Sequence, residues 1–350
     1  MIATLSAVLL ISGLGGVILG VTWAVMALAD SEDSPRRALT PAGAGALLIT
    51  SAWLIPTGGS LGEPPEPTRA EPSPIAADAL LQPTPMIATH TRRAYALSAA
   101  GKISIWGEPI PDPLAADGTV ARVAVGREHL CVLRPTGALS CWGEQREGQA
   151  SPPGGTFVAL SAGTEHSCAL TEDGEPWCWG RRDDRLMPPE GLRLVSLSSS
   201  DRHTCGLDAQ GQIHCWGCRS QDRAACDAPP GQYRQVSAGH QHSCALDTQG
   251  QVRCWGSNEA GQAQPPAGRF SHISAGWSQT CALDNQGQIR CWGCQGRAQA
   301  LDPTQASHCQ APPGRFIALT SGDIWGSCAI EAAEGSTRCW GGPAREGEQR

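Results

Sequence analysis

The sequence has little positive charge. Its 26 Lys and Arg residues are outnumbered by 33 Asp and Glu, the net charge is -7, and Lys102 is its single lysine. Proteins that bind nucleic acid generally present a basic face to the phosphate backbone. The charge balance therefore argues against nucleic acid as a partner.

Motifs that carry catalysis are also absent from the sequence. It has no hydrolase nucleophile elbow, no phosphate-cradling glycine loop and no convergent pair of acids. Its 42 glycines fall at turns, where positive φ is needed. We therefore expect no catalytic residue, no cofactor and no enzymatic activity.

A Trp-Gly dipeptide recurs seven times, and five of the six intervals are 36 to 39 residues long. Repetition at this period predicts a repeat architecture. No helical periodicity separates the copies, so we expect an all-β chain that closes radially as a seven-bladed β-propeller with three- to four-stranded antiparallel blades. The tryptophans are Trp106, Trp142, Trp179, Trp216, Trp255, Trp292 and Trp340.

Sixteen cysteines fall in and between these repeats. In six copies a Cys precedes the Trp and another lies ten or eleven residues upstream, whereas the first copy has Tyr95 and Ile105 at these positions. Their joint absence indicates that the two positions bond to each other. The expected disulfides are Cys131–Cys141, Cys168–Cys178, Cys205–Cys215, Cys244–Cys254, Cys281–Cys291 and Cys328–Cys339.

Four cysteines remain, and they favour two further disulfides, Cys218–Cys226 and Cys294–Cys309, that close enlarged loops. A zinc cluster of Cys205, Cys215, Cys218 and Cys226 is the alternative, because two C-x-x-C motifs are present. Cysteines that all pair fit an oxidising compartment.

One repeat, residues 269–293, shows how a blade is built. Phe270 opens a first strand, residues 280–283 form a second and residues 288–292 a third. The Asp-Asn-Gln-Gly segment at 284–287 is a turn signal between antiparallel strands. The turn places Cys281 opposite Cys291, at a spacing that a disulfide accepts.

The N-terminal part predicts a membrane anchor over residues 1–59, with apolar helices at about 1–29 and 38–56. Arg36 and Arg37 lie in the loop between them, so the positive-inside rule puts that loop in the cytoplasm and the repeats outside. A cleaved signal peptide and a single span are the alternatives. We expect a bacterial inner-membrane protein that faces the periplasm or the cell exterior.

The remaining segments complete the predicted domain organisation. Residues 60–85 hold seven prolines and predict a semi-rigid linker. Residues 86–342 contain the propeller, and residues 343–350 form a polar tail.

The residues of the repeat carry a family resemblance, clearest at 163–180 and 239–256. Gly-x-x-His, Ser/Thr-Cys-Ala-Leu and Cys-Trp-Gly resemble the regulator of chromosome condensation repeat in its cysteine-bearing bacterial form. The resemblance implies a seven-bladed propeller, similar in fold to β-lactamase inhibitory protein II. Departures are the cysteine-free first copy, Gln279 in place of His, and an expansion around Trp325. The family's nucleotide exchange on a nuclear GTPase needs a reducing compartment and basic contacts, so we do not transfer it.

Histidines recur two residues before the upstream Cys of four copies, as His129, His166, His203 and His242. Imidazoles are common metal ligands, but neighbouring blades would hold these four too far apart to converge on one ion. We expect structural histidines that bond backbone between strands, and no metal.

The loop residues after each repeat's glycine differ from copy to copy, whereas the repeat residues on either side are similar. Such variation is typical of a binding face. Neutral drift at exposed loop tips is the alternative. Trp277 and Trp325 are the expected aromatic anchors. We predict a scaffold that binds an unidentified protein partner on one propeller face. An inhibitor or sensor of a cell-wall or secreted enzyme, and a carbohydrate-binding module or enzyme using the axial pocket, are the alternatives. The candidate residues are Arg92, Arg127, Glu128, Glu165, Arg202, His240, Trp277, Asp323 and Trp325.

Overall fold

The computed structural model describes residues 85–90, 93–107, 119–181, 187–219, 223–294, 309–322 and 326–341. These residues form 21 strands, which pair as seven three-stranded antiparallel sheets. The predicted anchor, the linker apart from Pro85, and the tail lie outside the described residues. Within the described ranges no helix is both long and apolar enough to cross a bilayer.

Each sheet uses three consecutive strands and forms one blade. Blade 1 comprises β1 (Met86–His90), β2 (Arg93–Leu97) and β3 (Ile103–Gly107); blade 2, β4 (Arg122–Val125), β5 (His129–Leu133) and β6 (Leu139–Gly143); blade 3, β7 (Phe157–Ala162), β8 (His166–Thr171) and β9 (Pro176–Gly180); blade 4, β10 (Ser196–Ser199), β11 (Thr204–Leu207) and β12 (Ile213–Trp216); blade 5, β13 (Tyr233–Ala238), β14 (His242–Asp247) and β15 (Val252–Gly256); blade 6, β16 (Phe270–Ala275), β17 (Gln279–Asp284) and β18 (Ile289–Gly293); blade 7, β19 (Phe316–Ser321), β20 (Ser327–Glu331) and β21 (Thr337–Trp340).

The first strands of successive blades contact each other in sequence, and β19 contacts β1. These contacts close the ring, so the predicted seven-bladed propeller is confirmed. No described blade mixes strands from the two ends of the chain, and the closing seam between blades 7 and 1 is therefore noncovalent. The Pro-Pro-Gly segments add no fourth strand to the described blades, in keeping with the missing N–H of proline.

The apolar core lies between neighbouring blades. Second strands are the most buried, and all five residues of β5 are inaccessible to solvent. A typical cluster packs Leu246 of blade 5 against Phe270 and Trp292 of blade 6. Burying one such side chain stabilises the fold by about 1.5–3 kcal/mol, so each blade is stabilised mainly by its neighbour.

All eight predicted disulfides are confirmed. In the hairpin pairs the two cysteines lie directly opposite, as in Cys168–Cys178 with a Cα–Cα distance of 4.1 Å. The alternative zinc cluster is wrong, because Cys205 is bonded to Cys215 and Cys218 to Cys226. Each hairpin staple is worth about 2.7 kcal/mol as an upper figure in the chain-entropy model.

The turns after the second strands also connect blades. In blade 5, Asp247 Oδ1 accepts the backbone N–H groups of Gln249 and Gln251. Gly250 then has φ 82°, a conformation that glycine adopts readily. Its carbonyl accepts the N–H of Phe270, the first strand residue of blade 6, at 2.8 Å.

In blades 3, 5 and 6 the Trp of the Trp-Gly motif bonds its blade to the preceding loop. Trp292 Nε1 donates to the Gln262 carbonyl at 2.9 Å, and Trp255 Nε1 donates to the Ala225 carbonyl at 2.8 Å. Ala225 ends a short 3-10 helix, Arg223–Ala225, in the loop that Cys218–Cys226 closes. The Ala225 carbonyl in this enlarged loop therefore accepts the same indole bond as the Gln262 carbonyl does in the next blade. The Cys218–Cys226 disulfide holds the loop that contains it.

Candidate functional site

The recurrent histidines connect adjacent blades. Each is fully buried, and its Nε2 lies at hydrogen-bond distance from the hydroxyl that precedes the Cys of the next blade. The expectation of a structural role fits this placement, but the expected backbone partner is wrong, because the partner of Nε2 is a side-chain hydroxyl. The four pairs are His129–Ser167 (2.8 Å), His166–Thr204 (3.0 Å), His203–Ser243 (2.7 Å) and His242–Thr280 (2.8 Å). No group of residues suited to a metal ion occurs in the described part of the chain.

A glycine allows the blades to approach where the first strand meets the candidate loop. A Cβ on Gly163 would lie 2.1 Å from the Ser200 carbonyl oxygen of the next blade and 2.5 Å from His166 Cε1. Gly239 is similarly enclosed by His242 and by the Gly276 carbonyl. Because these positions accept no side chain, the loop residues that follow are brought against the next blade.

The loops of five successive blades consequently meet on one face of the propeller. The Arg127 N–H donates to the Thr164 carbonyl at 3.4 Å, and the His240 N–H donates to the Gly276 carbonyl at 3.0 Å. The Trp277 N–H reaches the Gly322 carbonyl of blade 7 at 3.3 Å. We call Arg127, Thr164, Asp201, His240 and Trp277 the inner loop row.

Side chains join four members of the inner loop row. The Thr164 hydroxyl hydrogen-bonds to the Asp201 carboxylate. Asp201 Oδ2 lies 2.9 Å from His240 Nδ1. The imidazole of His240 is stacked on the indole of Trp277, with ring centroids 3.6 Å apart and planes within 15° of parallel. One uninterrupted chain of contacts therefore runs from blade 3 to blade 6.

The Asp201 carboxylate is ionised in this setting. Burial by itself would raise its pKa, but hydrogen bonds from His240 and Thr164, with the nearby charges of His240 and Arg202, lower the pKa below its ordinary value. A fixed negative charge therefore lies behind the imidazole across the neutral pH range.

Accessibility differs along the inner loop row. The side chain of His240 is only 9% exposed and that of Asp201 26%, whereas Trp277 is 42% exposed. Glu165, beside Thr164, forms an ion pair with Arg181, and Arg202 lies 3.6 Å from Asp201. Trp277 is thus an accessible aromatic surface stacked on His240, which in turn contacts Asp201.

The structure brings together most of the predicted candidates that it describes. Arg127, His240 and Trp277 belong to the inner loop row, and Arg202 adjoins it. Glu128 contributes its carbonyl to the outer strand of its own blade, accepting the N–H of Glu144. Arg92, Asp323 and Trp325 lie outside the described residues. Thr164 and Asp201 were absent from the candidate set, although both occupy the same variable loop position as Trp277.

The first strands of blades 5, 6 and 7 carry a polar cluster that the repeat pattern did not indicate. Gln235 Nε2 lies 3.2 Å from His272 Nδ1, and His272 Nε2 donates to the Leu319 carbonyl at 3.1 Å. Burial lowers the pKa of His272. These bonds hold a neutral imidazole between blades 5, 6 and 7. The role of the cluster is therefore structural.

The repeats match the family model for the regulator of chromosome condensation (RCC1) repeat over residues 120–149, 157–184, 194–221, 233–262 and 270–299. The chain belongs to the RCC1-repeat family. The predicted resemblance is thereby confirmed. A comparison with curated proteins gives no match.

Solved RCC1-like propellers share the fold. The ectodomain of the Physcomitrella patens receptor kinase CR4 is 25% identical, with a TM-score of 0.60 over 73% of this chain and 72% of that one. The ACR4 ectodomain of Arabidopsis thaliana is 21% identical, with a TM-score of 0.60 over 74% and 96%. Prp20p of Saccharomyces cerevisiae, whose structure was described with its binding to Gsp1p and histones, is 17% identical, with a TM-score of 0.53 over 64% and 72%.

Proposed function

We propose that this chain is a membrane-tethered RCC1-repeat propeller, displayed outside a bacterial inner membrane, that binds a protein partner through the inner loop row. The observation that carries the proposal is the continuous contact from Thr164 to Trp277 across four blades. It turns variable loop residues into one surface that ends in an accessible tryptophan.

The disulfides support the extracytoplasmic part of this proposal. All sixteen cysteines are paired, and none is free. Cytosolic thiol systems keep such cysteines reduced, whereas the periplasm and the cell exterior allow them to pair. The similar CR4 propeller is itself a receptor ectodomain. The apolar segments at residues 1–29 and 38–56 supply the proposed anchor.

The composition of the face supports a protein as the partner. Tryptophan is enriched among the residues that dominate binding energy, particularly where polar groups around it exclude water. Trp277 is 42% exposed and lies beside the polar His240–Asp201 pair. Related propellers also bind proteins: yeast RCC1 (Prp20) has been solved with Kap60, and Prp20p binds Gsp1p.

The direction of β1 shows where the chain enters the propeller. The first strand begins at Met86, opposite Leu97, and runs toward the end of the blade where β1 meets β2. The inner loop row follows the first strands, at that same end. The described chain thus enters the propeller, at Pro85 and Met86, at the end opposite the inner loop row.

Crosslinking in native membranes tests this proposal. The full chain with Trp277→Ala is compared with Trp177→Ala, since Trp177 is also exposed, at 48%, but lies on β9 away from the inner loop row. Truncating a central tryptophan costs about 2 kcal/mol or more, or about 30-fold in affinity. We expect W277A to lose the crosslinked partner and W177A to retain it.

Equal capture by both variants contradicts the proposed face. The identity of a captured protein then separates a scaffold from an inhibitor or sensor of a cell-wall enzyme. Protease added to spheroplasts tests the orientation, because a propeller protected from the protease contradicts extracytoplasmic display.

A further inference from the structure

Trp277, the accessible aromatic residue of the proposed face, packs against side chains that are much less exposed than it is. His240 covers one side of the Trp277 indole and is itself nearly buried. Asp201 holds the imidazole through Nδ1, and Thr164 in turn bonds to Asp201. The order of contacts is therefore hydroxyl, carboxylate, imidazole and indole, and only the last is substantially accessible.

We propose that Thr164, Asp201 and His240 are positioning residues that couple the presentation of Trp277 to pH, so that the face holds its anchor more firmly, and binds its partner more tightly, when His240 is protonated. This inference rests on the proposed binding face and adds its regulation. It assigns a role to Thr164 and Asp201, which need not contact the partner.

The physical basis is the change in both contacts of the imidazole when it gains a proton. Protonation makes the 2.9 Å contact between Nδ1 and Asp201 Oδ2 an ion pair with a carboxylate that is already ionised. The stack on the indole becomes a cation–π interaction, which is worth about 0.5–1 kcal/mol at an exposed site and more when desolvated. Both changes hold the imidazole against Trp277 more firmly, and histidine is the side chain whose charge ordinarily changes between pH 5 and 8.

Two other titratable or charged side chains, Arg202 and His242, lie near the imidazole of His240. Arg202 contacts the same carboxylate at 3.6 Å and opposes the new positive charge in part. His242 lies two residues along the strand, is fully buried, and has a pKa lowered to about 3 by burial and by the nearby His203 and His240. It therefore stays neutral between pH 5 and 8 and leaves Asp201 as the dominant partner.

Fluorine NMR of the 5-fluorotryptophan-labelled protein tests the coupling without any partner. The Trp277 resonance is assigned by its loss in Trp277→Phe and followed from pH 5 to 8. We expect it to titrate in the unsubstituted protein. His240→Phe keeps an aromatic ring on the indole and should abolish the titration. Asp201→Asn keeps a hydrogen-bond acceptor and should move the midpoint to lower pH, since it removes the opposite charge.

A matched control is the His214–Asp208 pair, joined at 2.8 Å in blade 4 on β12 and the β11–β12 turn. His214→Phe should leave the Trp277 titration unchanged. A Trp277 resonance that does not titrate, or that titrates equally in H240F, overturns the proposal; so does an unchanged midpoint in D201N.

The two proposals fail separately. Titration of Trp277 without partner loss in W277A would keep the coupling and remove the binding face. Partner loss in W277A without titration would do the reverse. With both intact, capture should be severalfold stronger at pH 5.5 than at pH 8, and this difference should disappear in H240F.

Discussion

His242 of blade 5 donates from Nε2 to Thr280 Oγ1 of blade 6 at 2.8 Å, and this hydroxyl donates in turn to the Gln262 carbonyl at 3.0 Å. The same carbonyl accepts the indole N–H of Trp292. One buried hydroxyl thus connects a neighbouring blade, the intervening loop and its own blade. Equivalent histidine–hydroxyl pairs occur at four successive interfaces, so the ring is joined by polar contacts as well as by apolar packing.

Replacing His242 by Gln should weaken the acid sensitivity of the fold. Burial lowers the pKa of His242 to about 3 from 6.5. Below pH 6.5 the unfolded chain binds a proton that the folded chain does not, so the free energy of unfolding falls as pH falls from 6.5 toward 3. One such group contributes a slope of up to about 1.4 kcal/mol per pH unit. Guanidinium unfolding at pH 4, 5, 6 and 7 measures the slope, which H242Q should reduce by about this amount.

Glutamine is a suitable replacement because Gln279 occupies the corresponding position in blade 6. His272, whose pKa burial also lowers, should leave part of the slope in H242Q. His214→Gln serves as a control, since that histidine is partly exposed. An unchanged slope in H242Q would mean that His242 does not remain neutral in the folded protein.

Replacing Thr280 by Val should destabilise the interface between blades 5 and 6. The substitution preserves shape but leaves the buried Nε2–H of His242 without its acceptor, which costs about 1–3 kcal/mol. Thr248, exposed in a turn of blade 5, provides the control T248V, which should stay close to wild type. Chemical unfolding measures both, and equal stability of the two variants would refute the connecting role of the hydroxyl.

Installing the missing disulfide in blade 1 should not stabilise the protein. Tyr95 and Ile105 are directly paired, so Tyr95→Cys with Ile105→Cys should oxidise. The staple is worth about 2.7 kcal/mol at most. Tyr95 is, however, 99% buried in the cluster between blades 1 and 2, and removing a large core aromatic costs about 3–5 kcal/mol. We expect the oxidised double variant to melt below wild type but above Y95S/I105S.

A melting temperature of the oxidised Y95C/I105C variant above that of wild type would contradict the view that apolar packing replaces the staple in blade 1. Leu130 supports that view. It lies in the same cluster as Tyr95 and directly precedes Cys131, at the position where the later blades have a Ser or Thr hydroxyl.

Adding a methyl group at Gly163 should disrupt the approach of blade 4 to blade 3. The new Cβ would lie 2.1 Å from a backbone oxygen, which cannot move without shifting the strand. Gly154→Ala is the control, because no atom lies within 4 Å of its Cβ position. Thermal unfolding should show G163A strongly destabilised and G154A unchanged, whereas equal melting temperatures would mean that the blades are not so closely packed.

The sequence predicted those features that lie within one repeat. The turn segment at residues 284–287 and the opposed cysteines predicted the register of the hairpin, because turn chemistry and disulfide geometry are local. The partner of His242 was missed, because spacing within a repeat does not reveal which atoms meet across blades. The sequence does contain a correlation between neighbouring copies. Wherever one copy has the recurrent His, the next copy has Ser or Thr before its Cys. The first copy lacks that His, and the next copy has Leu130 before its Cys.

The candidate face was only partly predictable for a related reason. Variation after each loop glycine indicated Trp277 and His240, but the stacking between them depends on how closely two blades approach. Asp201 and Thr164 also lie at these variable positions, but their place in the row beside His240 depends on the packing of the blades.

The redox state of the cysteines in the native cell tests whether the propeller lies on the oxidising side of the membrane. Cells are quenched in acid, free thiols are alkylated, and the intact chain and its peptides are weighed before and after reduction. Eight disulfides on the oxidising side of the membrane predict no alkylation before reduction and sixteen labels afterwards. Labelled thiols at Cys168 and Cys178 in the unreduced native protein would contradict it.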